Sequence, residues 1–506
     1  MLASQKTGTA KLEHISSILA DLKADLSAPK FSIQRTSPFR APRVDAQLIT
    51  RTERQQLLEQ LKVYGRSVDN ADPIFTQDGI RILGQCAFEG ETTAASQEAL
   101  RCLANALLLV PRTRPILVDL GHGMHASDML KGDNIDNEFL LSRLLFLMTY
   151  DTTLDYPLLV QSHGLATNIN AAIARHAGRY TLQARQPARE HTQPMDLMAL
   201  SETLKLLFNI THFHPALISH FSSSIPHLFT ILMCRGVTKP PLEAPASFIV
   251  NALLNLDLDN SNPQSSTAAE IKPADVANPV FPSASPTANT THLINLLSAS
   301  LTSYPDTELD ATVAPLLTLI RRIYEIAPAD VKKSMEQQML PTPAERDKPL
   351  GKSDTLSSRL LNLTTNALTP TLRGSISSMF FELSHKDPAT FVQNVGYGFA
   401  SGFLMSNNIA MPDEVARAHE EQPSASDSQR VPFPVNPVTG QRLDKEEVME
   451  QTPMTHEEKE REAERLFVLF ERLKATGVMD VVNPVEQAYR EGRIQELNND
   501  EDDDDD

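Results

Sequence analysis

Tryptophan is absent from the 506 residues, and aromatic side chains make up only 6% of them. Pockets walled by aromatic rings are therefore not expected. Cysteine is scarce as well. Cys86, Cys102 and Cys234 share no metal-ligand spacing, and their odd number argues against a disulfide framework. Such usage fits a reducing, cytoplasmic setting, compatible with recruitment to the inner face of the plasma membrane. No 18 apolar residues run uninterrupted, so no transmembrane segment is expected. Met1 to Lys6 lacks the apolar run of a signal peptide. Positive charge is in deficit: the formal net charge is −18. Glu496, Asp500, Glu501 and Asp502 to Asp506 supply much of it, and this balance disfavours nucleic acid as a partner. The acidic end, 481–506, reads as a disordered tail.

What the chain has in quantity is aliphatic side chains at helical spacing. A first helix is expected over 10–27, within an N-terminal piece and connector spanning 1–45. Between 46 and 405 the clearest helices are Gln97–Val110, Asn137–Tyr150, Ser201–Thr211, Ser247–Leu256, His292–Thr302, Ala311–Ile326, Leu356–Leu368 and Gly374–Ser384. Alternating apolar and polar residues rarely persist for four positions, so strands are not expected. Landmarks recur in the most apolar helices: Asn105 to Phe146, Asn209 to Asn255, Leu319 to Leu363. Their spacing falls in the 40-odd-residue range of helical solenoid repeats. Arg179–Met195 reads as an inserted loop, and 257–291, rich in Ser, Thr, Asn, Ala and Pro, as a disordered insertion.

The polar residues inside these helices are more informative than the leucines. Arg101 and Asn105 stand at i and i+4, as do Lys205 and Asn209, and Asn251 and Asn255, while Arg143 precedes Phe146 by three. Each set projects from one stripe of an otherwise apolar helix. In a solenoid, the stripe of each inner helix lines the binding groove. Asparagine there can meet a peptide backbone, and Arg or Lys a carboxylate. A solvated helix face is the simpler alternative for any single pair.

Sites for chemistry are hard to find. His122 and His125 form an H-x-x-H pair and His212 and His214 lie close together, but neither set belongs to a recognisable zinc pattern. Walker, G-x-G-x-x-G and G-x-S-x-G motifs are missing. Gly396 to Gly402 reads as a tight turn between helices. No cofactor, metal or covalent chemistry is expected.

The C-terminal part is unlike the array. A polar linker at 406–430 carries Ser424-Ala-Ser-Asp427, a short match to an acidophilic kinase site that makes Ser424 a candidate phosphosite. A proline-stiffened stretch, Val431 to Gly440, opens the segment 431–480. Thr455-His-Glu-Glu458 is a capping box for a helix over 456–475. Its Ala463, Leu466, Phe467, Phe470 and Leu473 share one apolar face, suited either to docking on the array or to laying on a partner.

Leu-Phe-Asn-Ile-Thr (207–211), Val-Gly-Tyr-Gly-Phe-Ala-Ser-Gly (395–402), Asn-Pro-Val-Thr-Gly (436–440) and Met-Thr-His-Glu-Glu-Lys-Glu (454–460) occur in this order. The set resembles the synembryn family, exchange factors and folding chaperones for heterotrimeric G-protein α subunits. The resemblance implies an all-α fold: an armadillo/HEAT-like right-handed superhelical solenoid, with a partly disordered C-terminal tail carrying one amphipathic helix. It implies a partner, the G-protein α subunit in its GDP-bound or nucleotide-free state, bound by a chain that is monomeric when free. Asn105, Arg143, Phe146, Lys205 and Asn209 would line a groove for the partner's C-terminal helix, with Arg66 a looser match. The tail, with Asn436, Pro437, Leu466, Phe467, Phe470 and Leu473, would approach the nucleotide-switch region. The competing reading is an armadillo-type peptide scaffold or transport adaptor without exchange activity.

Overall fold

A computed structural model describes residues 6–27, 49–89, 93–185, 193–259, 278–410, 435–436 and 438–446, with positions 461, 465 and 468. Helices α1 (Gly8–Ser27) and α2 (Arg51–Tyr64) are followed by α3 (Gln77–Phe88) and α4 (Ala94–Leu109). Short helices α5 (Thr113–Asp119) and α6 (His122–Met129) lead to α7 (Ile135–Met148). Next come α8 (Tyr156–Ser162), α9 (Leu165–Arg185), α10 (Pro194–Phe213), α11 (Ile225–Arg235) and α12 (Ala246–Asn255). The later part holds α13 (Ala288–Ser303), α14 (Asp306–Thr312), α15 (Ala314–Ile326), α16 (Ala329–Met339) and α17 (Leu356–Leu363). It closes with α18 (Pro370–Leu383), α19 (Pro388–Val395) and α20 (Tyr397–Ser406). Among the described residues there is no strand, only a bridge between Val435 and Arg442.

Local sequence explains where helices begin. Thr50 and Glu53 form a capping box on α2, and Thr93 does the same with Ser96 on α4. Asn134, Asp155, Thr355 and Asp387 each cap the helix that follows them. Proline stands in the first turn of α10, α18 and α19, where its missing N–H costs nothing.

Seven helices form a continuous row: α2, α4, α7, α10, α12, α15 and α18, each packed on the next. The others flank it, with α1 and α3 beside α2 and α4, α9 beside α10, and α11 beside α12. This is an all-helical solenoid. Its core is aliphatic, and Leu100, Leu103, Leu107, Leu141, Leu144, Leu204 and Leu207 are fully buried. Each contributes roughly 1.5–3 kcal/mol by leaving water. The apolar segment Pro215–Arg235 is a core element too: Leu217, Phe221, Ile225, Leu228 and Leu232 are buried, and α11 packs on α9 and α12.

One polar knot sits inside this core. Glu138 and His176, both 1% exposed, are 2.8 Å apart, and Thr203 donates to the same Glu138 oxygen at 3.1 Å. Burial pushes the Glu138 carboxyl up, but His176, Arg175 and Thr203 outweigh it and hold it below its ordinary range.

Several expectations need correction. The segment 257–291 folds at both ends: Val280 and Phe281 are buried, Asn278 Nδ2 donates to Leu258 O at 3.0 Å, and α13 starts at Ala288. Buried apolar residues override its polar composition. Arg179–Met195 is not one loop, because α9 continues to Arg185 and α10 begins at Pro194, with Arg179 paired to Asp196 at 3.3 Å. The Ala311–Ile326 helix is broken at Val313, ahead of Pro315. Leu356–Leu368 ends at Leu363, since Asn366 turns the chain by accepting from Leu368 N at 2.8 Å. Leu363 therefore lies on α17, beside the row, and the Leu319-to-Leu363 interval does not join equivalent helices. In Gly396–Gly402 only Gly396, at φ +81°, makes the turn, and Tyr397 onward is helix.

The chain divides into compact units at 1–444 and 445–506. In the second unit Arg461, Arg465 and Val468 are helical and exposed. Pro437, Leu466, Phe467, Phe470, Leu473 and Ser424 lie outside the described residues.

Candidate functional site

The row brings Lys62, Arg101, Arg143 and Lys205 into one strip with three acids. On α4, Glu98 receives Arg101 at 2.8 Å on one oxygen, while Lys62 of α2 lies 2.6 Å from the other. Arg101 also reaches Asp136 on α7 at 3.3 Å. On α10, Glu202 takes Lys205 at 2.8 Å and Arg143 of α7 at 3.1 Å. Both acids are largely covered, whereas Arg101, Arg143 and Lys205 keep between a quarter and a third of their side chains exposed. Arg66, just beyond α2, is exposed and has no ion-pair partner among the described residues.

Lys62, Arg66, Arg101, Asn105, Phe139 and Arg143 open onto one cleft of about 230 Å³. The strip then continues through Phe146, Lys205 and Phe248. Lys205 Nζ lies 5.8 Å from the Phe146 ring centre and 5.3 Å from that of Phe248. Five cations thus stand against three acids, Glu98, Asp136 and Glu202. A chain of net charge −18 carries a local positive excess here.

The asparagines have a second duty. Asn105 Nδ2 points to Lys62 O at 3.5 Å, a long contact to the last turn of α2. Asn209 Nδ2 donates to Thr149 Oγ1 at 2.7 Å, and Asn255 Nδ2 donates to Phe208 O at 3.1 Å. At the next step Arg322 of α15 takes over, donating to Leu254 O. Each of these side chains reaches back one helix along the row, in two cases to the carbonyl-rich last turn. Asn209 is only 4% exposed, so it belongs more to the packing than to an open surface. Asn251 is half-buried on α12.

An aromatic edge borders the strip where α7 and α10 end. Phe146 meets Tyr150 edge-on with ring centres 5.5 Å apart, and Tyr150 meets Phe213 at 6.0 Å. Arg114 stands 5.8 Å over Tyr150, and Phe213 is 48% exposed. Tyr150, Phe213, Arg114, Phe248, Glu98 and Glu202 were not singled out from sequence. A signal for the two acids exists, however: Glu98-Ala-Leu-Arg-Cys-Leu-Ala-Asn105 and Glu202-Thr-Leu-Lys-Leu-Leu-Phe-Asn209 share one pattern of acid, cation and asparagine.

Asn436 does not project as part of a loose tail. Its Oδ1 accepts from Val438 N at 2.9 Å, within a turn hydrogen-bonded to the residues before α17 and to α20. His122 and His125 stack on Phe88, with ring centres 4.9 and 6.3 Å away, and His122 is pushed down to about 4, first by burial and then by His125. Burial likewise pushes the Cys86 thiol up to about 12, far from a reactive thiolate. Among the described residues no group of three or more His, Cys, Asp or Glu is arranged to hold a metal.

Helices stacked in a continuous row make a solenoid, an architecture with long extended faces. Residues 57–493 match the guanine nucleotide exchange factor synembryn (Ric8) family, and the chain belongs to that family. It is 26% identical over 189 residues to a synembryn-like chaperone of Schizosaccharomyces pombe, a match covering 36% of this chain and 35% of that one. Against chaperone Ric-8A of Xenopus tropicalis the figures are 24% over 192 residues, 38% and 34%. Those two matches span about a third of each relative's length. A longer match, 26% over 406 residues, covers 76% of this chain and 72% of chaperone Ric-8A of Bos taurus.

Proposed function

We propose that this protein is a cytoplasmic guanine-nucleotide exchange factor and folding chaperone for heterotrimeric G-protein α subunits, acting without covalent chemistry. The strip's local positive excess on a strongly acidic chain is the observation that carries the reading. A helix docking by its carboxyl end presents a terminal carboxylate and the negative end of its dipole. Arg66, Arg101, Arg143 and Lys205 complement both, and Phe146, Phe248 and the Tyr150–Phe213 edge offer apolar contact beside them.

The mechanism is selective binding. A partner that grips the open, nucleotide-free state better than the GDP-bound state lowers the affinity for GDP by the same factor. Holding the terminal helix on the strip draws it from the nucleotide-binding body, and GTP returning to its site expels the exchange factor. The same grip on an incompletely folded α subunit covers apolar surface, which is the chaperone activity. The rival reading, a peptide scaffold with an asparagine ladder, loses support because Asn209 is buried and Asn209 and Asn255 each commit an amide donor to a neighbouring helix.

The test is GDP release from purified α subunit at saturating protein. Acceleration is expected, with stronger capture of nucleotide-free than GDP-loaded subunit. Unchanged release together with equal capture of both states contradicts the proposal.

A further inference from the structure

Residues 435–436 and 438–442 belong to a tight turn. Asn436 N donates to Gln441 O at 2.7 Å, and Gly440 N donates to Asn436 O at 2.8 Å. The turn is stitched onto the carboxyl-terminal part of the solenoid. Leu350 N donates to Thr439 O at 3.1 Å, Gly398 N to Val438 O at 3.2 Å, and Gln441 Nε2 to Asp347 O at 3.1 Å. Arg346, 4% exposed, stands at the centre. Its Nη1 donates to Gly440 O at 3.1 Å, its Nη2 to Asn394 O at 2.9 Å, and its own carbonyl accepts from Arg442 N at 2.7 Å.

The fit leaves little room. A Cβ on Gly440, whose φ is +69°, would stand 2.4 Å from Leu350 Cδ1, and one on Gly396 would meet Val438 O at 3.2 Å. The first compact unit ends at Asp444, two residues past Arg442, and those two residues pair at 2.6 Å. The clip therefore fixes the point from which the chain continues into its second unit.

We propose that this clip is the anchor of the C-terminal tail and that Arg346 is a positioning residue for GDP release, an inference that rests on the exchange function proposed above. With the clip in place, the tether of the tail is counted from Asp444. Without the clip the tether would start at the end of α20 and include the whole of 407–442, and effective concentration falls with tether length. A buried guanidinium holding two carbonyls from different segments secures this arrangement in a way that surface charges would not.

The experiment compares full-length wild type with Gly440→Val and Arg346→Met. Gly440→Val carries the test should Arg346→Met fail to fold, because it touches the clip and leaves the buried arginine intact. Amide hydrogen exchange at Leu350, Gly398 and Arg442 is expected to speed up at least about tenfold in the variant. Acceleration of GDP release is expected to fall about three- to tenfold, while affinity for an isolated carboxyl-terminal peptide of the α subunit stays within about twofold of wild type. Amides that stay slow would overturn the clip as the element released. Fast amides with full GDP-release activity would overturn the positioning role alone. Wild-type protein that leaves GDP release unchanged would overturn the exchange function and this role with it.

Discussion

Arg143 and Lys205, on neighbouring helices of the row, share a single oxygen of Glu202, at 3.1 and 2.8 Å. The Glu202 side chain is 5% exposed, so one covered carboxylate is shared by two largely covered cations. Glu202→Gln would leave both cations without their counter-charge. We expect a loss of about 1–2 kcal/mol, less than for a fully buried pair because both cations still reach water. Lys205→Glu would instead cancel the strip's local excess, weakening α-subunit binding well beyond its effect on stability. Urea denaturation and affinity measurements separate the two variants. Equal effects of both on both measurements would contradict the assignment.

Asn209 and Arg66 should behave as opposites. Asn209 is buried, and its amide is committed to Thr149. Asn209→Ala removes that bond and leaves the Thr149 hydroxyl without its donor, at a cost of about 1–3 kcal/mol. Arg66 is exposed, so Arg66→Ala should change stability by less than about 0.5 kcal/mol while weakening partner binding. Helical content and melting midpoint read the first effect, and titration with α subunit reads the second. A stable Asn209→Ala variant with impaired binding would return this residue to the open face.

The contrast shows where the sequence is legible. The spacing of Arg101 with Asn105 and of Lys205 with Asn209 placed these residues on one stripe, and the structure sets both pairs on the continuous row. Spacing along one helix says nothing about the neighbouring helix, so the commitment of Asn209 to Thr149 and of Asn255 to Phe208 stayed hidden. The same blindness applies to Tyr150 and Phe213, which meet only because α7 and α10 end side by side. Composition misled at 278–291, where two apolar residues, Val280 and Phe281, anchor a stretch that otherwise reads as unfolded. The last turns of helix α9 read as the start of a loop because Arg179 looks solvated until Asp196 is placed opposite it.

His122 gives the protein a pH dependence of known sign. Its ring stacks on Phe88 and lies so close to α3 that a Cβ on Gly84 would stand 2.5 Å from Nε2. Burial, reinforced by His125, lowers the imidazole from 6.5 to about 4. Between those values the unfolded chain binds the proton and the folded chain does not, so stability falls as the solution is acidified. The slope should reach about 1.4 kcal/mol per pH unit, and the contribution should be complete above pH 6.5. His122→Phe cannot take up the proton and should flatten that part of the profile. Denaturation midpoints at pH 7.5, 6 and 5 check this, and parallel profiles for wild type and variant would rule it out.

The last helix of the row is capped from outside itself. Thr369 precedes α18 and makes no side-chain capping bond. Asp310 of α14 supplies the cap, accepting from Thr371 N at 3.0 Å and Leu372 N at 2.8 Å. Its negative charge also faces the positive end of the α18 dipole. Partial burial pushes the Asp310 carboxyl up, but the Leu372 and Thr371 amides outweigh it and hold it below its ordinary range. Asp310→Ala should therefore cost about 1 kcal/mol at neutral pH, and Asp310→Asn, which keeps one acceptor, less. A lowered carboxylate contributes fully above its unfolded pKa, near 3.8, and loses that contribution as pH falls through the folded value. The gap between wild type and Asp310→Ala should accordingly narrow below about pH 4. Because α18 also carries Glu382, which binds Arg321 of α15 at 3.1 and 2.6 Å, fraying should reach that pair. Hydrogen exchange along Leu372 to Leu383 gives the reading: unchanged protection in Asp310→Ala would mean that α18 is held by its packing alone.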